Sequence, residues 1–361
     1  MKRIFQGVLL WLLTIELVLA ANLPFKVETL INDLRYPWGM AFITTTELLV
    51  TEKGGAVKYI QLNKQSSKTI ATLPVAQVGQ GGLLDIVLHP KFKQNRWVYL
   101  TYSKAVTGGY TTVLARGTFN EGRLEQIKEL LLTSAASRTS RHFGSRIVFD
   151  QQGYLYMTIG DRGDRRNSQR LDTHAGKVLR LTAEGKPATD NPFIKTVNAL
   201  PEIYSYGHRN PQGMVFDNTA QQLWLHEHGP KGGDEINLVK AGVNYGWPVI
   251  TYGREYSGDV ITEKTHDPNM EQPHWYWVPS IAPSGMALYR GNQFKNWQGD
   301  FLVGALKDRL LARVTLTGVQ KGKEQRYDFY KRIRAVTEGP DGFVYLLTDQ
   351  SPGELLRLLP E

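Results

Sequence analysis

Short apolar runs recur in pairs along this chain. In each pair, a turn rich in Gly, Asp or Asn separates a first run from a second that is dense in β-branched and aromatic residues. Trp38-Gly39-Met40-Ala41-Phe42 is followed by Glu47 to Glu52, and Leu84 to Pro90 by Trp97 to Thr101. Arg146 to Asp150 precedes Gly153 to Thr158, and Gly213 to Asp217 precedes Gln222 to Glu227. Gly285 to Tyr289 and Asp300 to Gly304 make a fifth pair, and Ala335 to Gly342 and Phe343 to Asp349 a sixth. Residue types and run lengths of this kind predict strands. Four units close with a further strand, at Ala56 to Ile60, Lys177 to Leu181, Leu310 to Leu316 and Glu354 to Leu359. Long amphipathic helical patterns are absent from the sequence.

Six strand-rich units predict an all-β fold, a six-bladed β-propeller with four-stranded antiparallel blades, spanning residues 21–361 as one domain. A two-sheet sandwich is the alternative, but six units suit a ring better than two layers. The propeller has a functional corollary. Residues just before each first strand, or just after each second strand, converge on the central axis despite wide separation in sequence.

Composition narrows the setting. With 361 residues and 41% hydrophobic content, the chain can bury a large core. Residues 1–20 resemble a secretory signal: Lys2 and Arg3 precede an apolar run, and Val18-Leu19-Ala20 ends it with a small-x-small cleavage pattern. Glu16 inside that run argues against a retained membrane span. The expected location is the periplasm, with no stable membrane span after cleavage. The chain has no cysteine, which excludes thiol nucleophiles, cysteine-ligated zinc and cysteine-bound iron–sulfur clusters. The net charge of +9 suits either a solvated basic surface or an anionic ligand. No nucleic-acid motif accompanies it, so nucleic acid is not expected as a partner.

Candidate chemistry lies where the propeller geometry directs it. His142, in Arg141-His142-Phe143-Gly144-Ser145-Arg146, precedes the first strand of the third unit. A neutral imidazole is well suited to accept a proton near neutral pH, and flanking Arg141 and Arg146 are expected to keep it neutral. A structural histidine is the alternative. Asp161 follows the second strand of the same unit and can fix the His142 tautomer, unless it is an ordinary turn aspartate. Arg162-Gly163-Asp164 also spells an adhesion tripeptide, of negligible specificity. Arg209 and Asn210 precede the fourth unit, and a guanidinium there can stabilise developing oxygen charge or merely brace a loop. His226 and His228 share a face at i, i+2, without an obvious third ligand for zinc. Gly229-Pro230 carbonyls, Asp234, Glu235 and carbonyls around Tyr245 are oxygen groups of the kind calcium takes, or else a solvated acidic turn. Lys307, Arg332 and Arg334 offer three positive charges to an anionic ligand, or form a solvated basic edge.

Together these motifs resemble the soluble quinoprotein sugar dehydrogenases, and within them the periplasmic aldose sugar dehydrogenase branch. The resemblance spans the mature chain. It rests on Gly79 to Leu84, Arg141 to Arg146, Pro201 to Gly213, His228-Gly229-Pro230, Asp234 to Asn237, Asn244 to Pro248, Ala305 to Asp308 and Arg332-Ile333-Arg334. It implies a six-bladed propeller that binds pyrroloquinoline quinone (PQQ) and calcium (Ca2+). His142 would be the general base, Asp161 its orienting partner, and Arg209, with Asn210 beside it, the stabiliser of negative charge on the cofactor oxygen. Gln80, Lys307, Arg332 and Arg334 would hold PQQ, whose three carboxylates suit a lysine and two arginines. Gly229 and Pro230 would ligate the calcium that also contacts PQQ, and Glu235 and Tyr245 a second, structural calcium. The implied substrate is a small-molecule aldose oxidised at C1 to its lactone, with an external electron acceptor of unassigned identity. Arg141 and His228 stand where the glucose-specific branch has Asp and Gln, Val278 and Ser280 where it has Trp and Thr, and Ala335 where an Asp is usual. A calcium-dependent propeller hydrolase such as a lactonase would leave Lys307, Arg332 and Arg334 without an anionic partner. A non-catalytic sugar-binding propeller predicts loss of His142 or Arg209, and both are present.

Overall fold

A computed structural model describes residues 23–361. The signal segment read at residues 1–20 lies outside the described residues. The first strand, β1 (Phe25–Leu34), belongs to the last blade. Blade one follows as β2 (Pro37–Phe42), β3 (Glu47–Glu52), β4 (Ala56–Gln61) and β5 (Ser66–Thr72), and blade two as β6 (Leu83–Leu88), β7 (Trp97–Val106), β8 (Gly109–Asn120) and β9 (Arg123–Leu132). Blade three comprises β10 (Ile147–Phe149), β11 (Leu155–Ile159), β12 (Lys177–Leu181) and β13 (Ile203–Tyr206). Blade four comprises β14 (Pro211–Asp217), β15 (Gln222–Glu227), β16 (Asp234–Val239) and β17 (Trp275–Trp277). Blade five is β18 (Pro283–Leu288), β19 (Phe301–Ala305), β20 (Leu310–Thr315) and β21 (Lys323–Asp328). Blade six is β22 (Ile333–Glu338), β23 (Val344–Thr348) and β24 (Gly353–Pro360), completed by β1. All pairings are antiparallel, and β1 joins β24 from Phe25 opposite Pro360 to Leu34 opposite Gly353, closing the ring. The six-bladed propeller expected from the repeats is the observed fold.

The core lies between blades. Six apolar clusters each fill one of the six inter-blade interfaces. Leu49 and Ile86 belong to the layer between blades one and two, and Trp224 and Phe301 to that between four and five. Ile31, Met40 and Tyr345 seal the junction of blades six and one. A seventh cluster, Trp38, Leu84 and Phe143, sits where blades one to three meet. Each blade's second strand is sandwiched by such layers: β11, β19 and β23 are buried at every position. The outermost strands are mostly exposed, as in β9 and β21.

One irregularity positions the site. The innermost strands β2, β6, β14, β18 and β22 each carry a register shift near their first residues. A bulge bends the strand and re-aims the side chains beside it. The exception is β10, which pairs regularly. There the approach itself is irregular, with His142 at φ 57° and Gly144 at φ 64°. All six approaches to the first strands open on the same end of the ring as the ends of the second strands.

Candidate active site

The residues singled out above converge on that end. His142 Nδ1 lies 2.6 Å from Asp161 Oδ1, with both side chains buried. Asp161 also accepts the Gly163 N–H at 2.7 Å and the Trp247 indole N–H at 3.0 Å. The His142 backbone N–H donates to Gln80 Oε1 of blade two at 2.7 Å. Blade four is tied in because the Asp161 N–H donates to the Arg209 carbonyl at 2.8 Å. The His142–Asp161 pair is packed tightly enough that Gly160 must lack a side chain: a Cβ there would lie 2.3 Å from the His142 carbonyl oxygen.

The electrostatics of the pair follow from this packing. Burial pulls the His142 imidazole below its usual pKa; the Asp161 hydrogen bond and charge oppose that shift, and Arg209 and Arg141 add to it. Burial would raise Asp161. Its hydrogen bond to His142, the charges of His142 and Arg209, and the Gly163 N–H hold it below the usual carboxylate range. The ground state is therefore a neutral imidazole whose Nδ1–H donates to an ionised carboxylate, leaving Nε2 as the proton acceptor.

Arg209 is almost fully buried. Its guanidinium donates to the carbonyls of His228 at 3.1 Å and Gly229 at 3.0 Å. Its backbone N–H donates to Glu227 Oε2 at 2.5 Å, and Glu227 Oε1 meets His208 Nδ1 at 2.8 Å. His228 lies between the halves of the site, where Arg209, His142 and Arg334 all depress its pKa. Burial is the larger cause and takes it down to about 3. Its Nε2 is bonded to the Pro283 carbonyl.

The three cations gather on blades five and six. Lys307 donates to the Ser280 carbonyl at 2.7 Å and Arg332 to the Leu306 carbonyl at 3.2 Å. Arg332 and Arg334 share one carboxylate, Asp349, at 2.7 and 3.1 Å. Burial would raise Asp349, and the two arginines hold it ionised. Lys53 adds a fourth positive group close enough for Arg334 to depress its pKa, secondary to burial. A cluster with more cations than carboxylates fits a polyanionic ligand such as PQQ. Gln212 bridges it to the base side: its Oε1 lies 3.5 Å from Arg334 Nη1, and its amide donates to Asn210 Oδ1 at 3.3 Å. Asn210 itself also accepts the Gly144 N–H at 3.3 Å.

The loop bearing Gly229 and Pro230 is held by Asp234. That buried carboxylate accepts the Gly229 N–H, the Ser280 hydroxyl, and the N–H groups of Ile281 and Ala282, all within 3.1 Å. Burial raises its pKa to about 6 despite these four bonds. With its lone pairs so engaged, Asp234 orders the loop, and the loop carbonyls are the oxygens left to face a cation. The Gly229 oxygen accepts from Arg209 and retains a second lone pair for a cation. A small cavity beside this loop is lined by Gly229 and Arg209 on one side and by Glu227, Glu235, Tyr245 and Thr251 on the other. Glu227 and Glu235 are directly opposed across the β15–β16 ladder. Burial, and then the Glu227 charge, push the Glu235 pKa up. Two facing carboxylates and backbone carbonyls fit a hard divalent cation. The Tyr245 phenol is committed to the Leu238 carbonyl and the Lys240 N–H, so its backbone is the part that can face this cavity.

One expectation needs correction. Arg146 does not flank the imidazole. It is buried, pairs with Asp85 at 3.0 Å, donates to the carbonyls of Gln212 and Arg334, and lies 4.1 Å from the centre of the Trp38 ring. Residue 146 lies beyond the left-handed turn at residues 142–145, which sends its side chain to the axis instead. Arg162 is buried against Phe143, in keeping with the negligible specificity given to the adhesion tripeptide. Glu227, Asp349 and Gln212 were given no role by sequence reasoning. A signal existed for the acids: Glu52, Asp161, Glu227 and Asp349 all sit at or just beyond the end of a blade's second strand.

The comparisons with known proteins agree with this geometry. The family model for glucose/sorbosone dehydrogenase matches residues 34–357. Aldose sugar dehydrogenase YliI of Escherichia coli (strain K12) is 41% identical over 350 residues, covering 94% of each protein. The crystal structure of the soluble aldose sugar dehydrogenase of E. coli in its apo form superposes with a TM-score of 0.89 at 40% identity, over 93% of this chain and 100% of that one. The PQQ-bound aldose sugar dehydrogenase of Streptomyces coelicolor gives a TM-score of 0.77 at 26% identity, over 94% of this chain and 99% of that one.

Proposed function

The chain belongs to the glucose/sorbosone dehydrogenase family, and we propose that it is a PQQ- and calcium-dependent dehydrogenase that oxidises an aldose at C1 to the lactone. One observation carries the reading: the buried His142–Asp161 pair opens on the same end of the ring as the Lys307, Arg332 and Arg334 cluster, the two linked through Gln212 and Asn210. A base that takes a hydroxyl proton and a cradle for a polyanionic oxidant are the two parts that such an oxidation needs.

When bound, PQQ supplies a two-electron quinone acceptor for the hydride that leaves C1. The protein's own work is to hold and to deprotonate. His142 Nε2 takes the proton of the anomeric hydroxyl, while Asp161 fixes the imidazole tautomer and stabilises the imidazolium that forms. Arg209, dry and preorganised, offers fixed positive charge where oxygen charge develops. Gln80 restrains the His142 backbone and would help to hold PQQ. Lys307, Arg332 and Arg334 would bind the PQQ carboxylates. Gly229 and Pro230 would ligate the calcium at the cofactor, and Glu235 and Tyr245, with Glu227 beside them, a structural calcium. The signal-like residues 1–20 support a periplasmic location.

Dye-linked assay of apo-protein supplied with PQQ and calcium is expected to give aldose-dependent dye reduction, abolished by calcium chelation. Turnover indifferent to PQQ would contradict the reading. Lys307→Met and Arg332→Gln are each expected to weaken PQQ binding about tenfold, the effect of losing one charge-assisted hydrogen bond. Titration of the quinone absorbance measures this, and the loss should shrink at high salt because both side chains are exposed.

A further inference from the structure

Arg162 contributes a buried charge that the proposed chemistry does not use. It is 1% exposed, and among the described residues no carboxylate forms an ion pair with it. Burial lowers its pKa only to about 10, so the guanidinium is charged at neutral pH. A buried charge is costly unless it is hydrogen-bonded. Here the acceptors are backbone carbonyls from one stretch of chain and its neighbour: Arg141, Thr139 at 3.1 Å and Tyr110 at 3.3 Å. The guanidinium carbon also lies 3.6 Å from the centre of the Phe143 ring. Arg162 therefore grips the residue before His142 through its carbonyl and the residue after it through its ring.

That grip falls where the chain most needs one. Residues 141–146 belong to no strand, and main-chain bonds to the neighbouring strand begin only at Ser145 and Arg146, which pair with Thr158. His142 holds φ 57°, a left-handed conformation that costs a non-glycine residue on the order of 1 kcal/mol or more and persists only when its surroundings enforce it. Gln80 holds its N–H, and Gly160 admits its carbonyl. Without Arg162, the Arg141 carbonyl would lose its buried partner and the turn could relax.

We propose that Arg162 is a positioning residue for the general base: it clamps Arg141 and Phe143 and so holds His142 in the left-handed conformation that aims its ring at Asp161 and the substrate. The proposal rests on the reading of His142 as the base. It places the role of Arg162 inside the protein.

Arg162→Met and Arg162→Lys test it. In the apo-protein, NMR titration of the His142 imidazole should move upward toward the ordinary histidine range in Arg162→Met, because the released ring meets water and leaves its burial. Arg162→Lys, which keeps a charge but not the planar fork, should fall between. In the PQQ-loaded enzyme, kcat should drop roughly 10–100-fold, with KM and PQQ affinity within about threefold of wild type. Folded variants with unshifted His142 titration and wild-type kcat would overturn the proposal. Failure of both variants to fold would also overturn it, making Arg162 a folding residue. The titration uses neither sugar nor cofactor, so its outcome is separate from that of His142→Ala, which tests the base assignment itself.

Discussion

His142→Ala is expected to lower kcat/KM for aldoses by roughly 10²–10⁴-fold, the contribution of a positioned general base, while PQQ still binds. The separation of effects follows from the architecture. No direct hydrogen bond or ion pair joins the His142 side chain to Lys307, Arg332 or Arg334 among the described residues, and those three keep their own partners when the imidazole is gone. The pH dependence has a defined sign. The base works when neutral, and burial holds its pKa below the usual 6.5. Activity should therefore persist through that range and fall only as the pH drops through the depressed value. Asp161 raises the His142 pKa, so Asp161→Asn should move the acidic limb lower still. It should also cost about 10²-fold or more in kcat, because the wrong tautomer becomes accessible. Stopped-flow reduction of bound quinone across pH measures both.

Arg146→Met is expected to destabilise the fold by about 3–5 kcal/mol, the cost of leaving a buried charge unpaired. Arg146 is the hub of the ring: it touches Trp38 of blade one, Asp85 of blade two, Gln212 of blade four and Arg334 of blade six. Burial pushes Asp85 up and Arg146 down, and each charge partly offsets the shift of the other. Asp85 also accepts the Ile147 N–H at 2.9 Å, so Asp85→Asn keeps an acceptor there while removing the charge. Urea denaturation of the two single variants and the double should show a coupling of about 1–3 kcal/mol, with the double variant losing less than the sum of the singles. Additive losses would mean that the pair is not the centre of the ring.

Arg146 also illustrates what the sequence conceals. It lies four residues from His142, yet its partners lie 61 residues back and 188 residues ahead. Only ring closure brings them together, and periodicity carries no record of it. The inner strands were legible for a physical reason. Strands such as β11 and β19 have both faces buried between blades, so they read as continuous apolar runs. The outer strands β5, β9 and β21 and the closing strand β1 are largely solvated, so their hydrophobic signal is faint. The same logic governs the site. His142, Asp161 and Arg209 stand at strand ends where propeller geometry directs attention. Gln212 acts by pairing with a residue of another blade, Asp349 by joining two arginines of its own blade, and Asp234 by ordering a loop of its own blade, which is visible only in three dimensions.

The most direct test is an anaerobic single turnover. Protein loaded with PQQ and calcium is mixed with an aldose, and the quinone absorbance and the sugar lactone are followed together. The account predicts bleaching of the quinone with one lactone formed per PQQ reduced, and a marked slowing of both in His142→Ala. An unbleached quinone, or bleaching at the wild-type rate in His142→Ala, would contradict it.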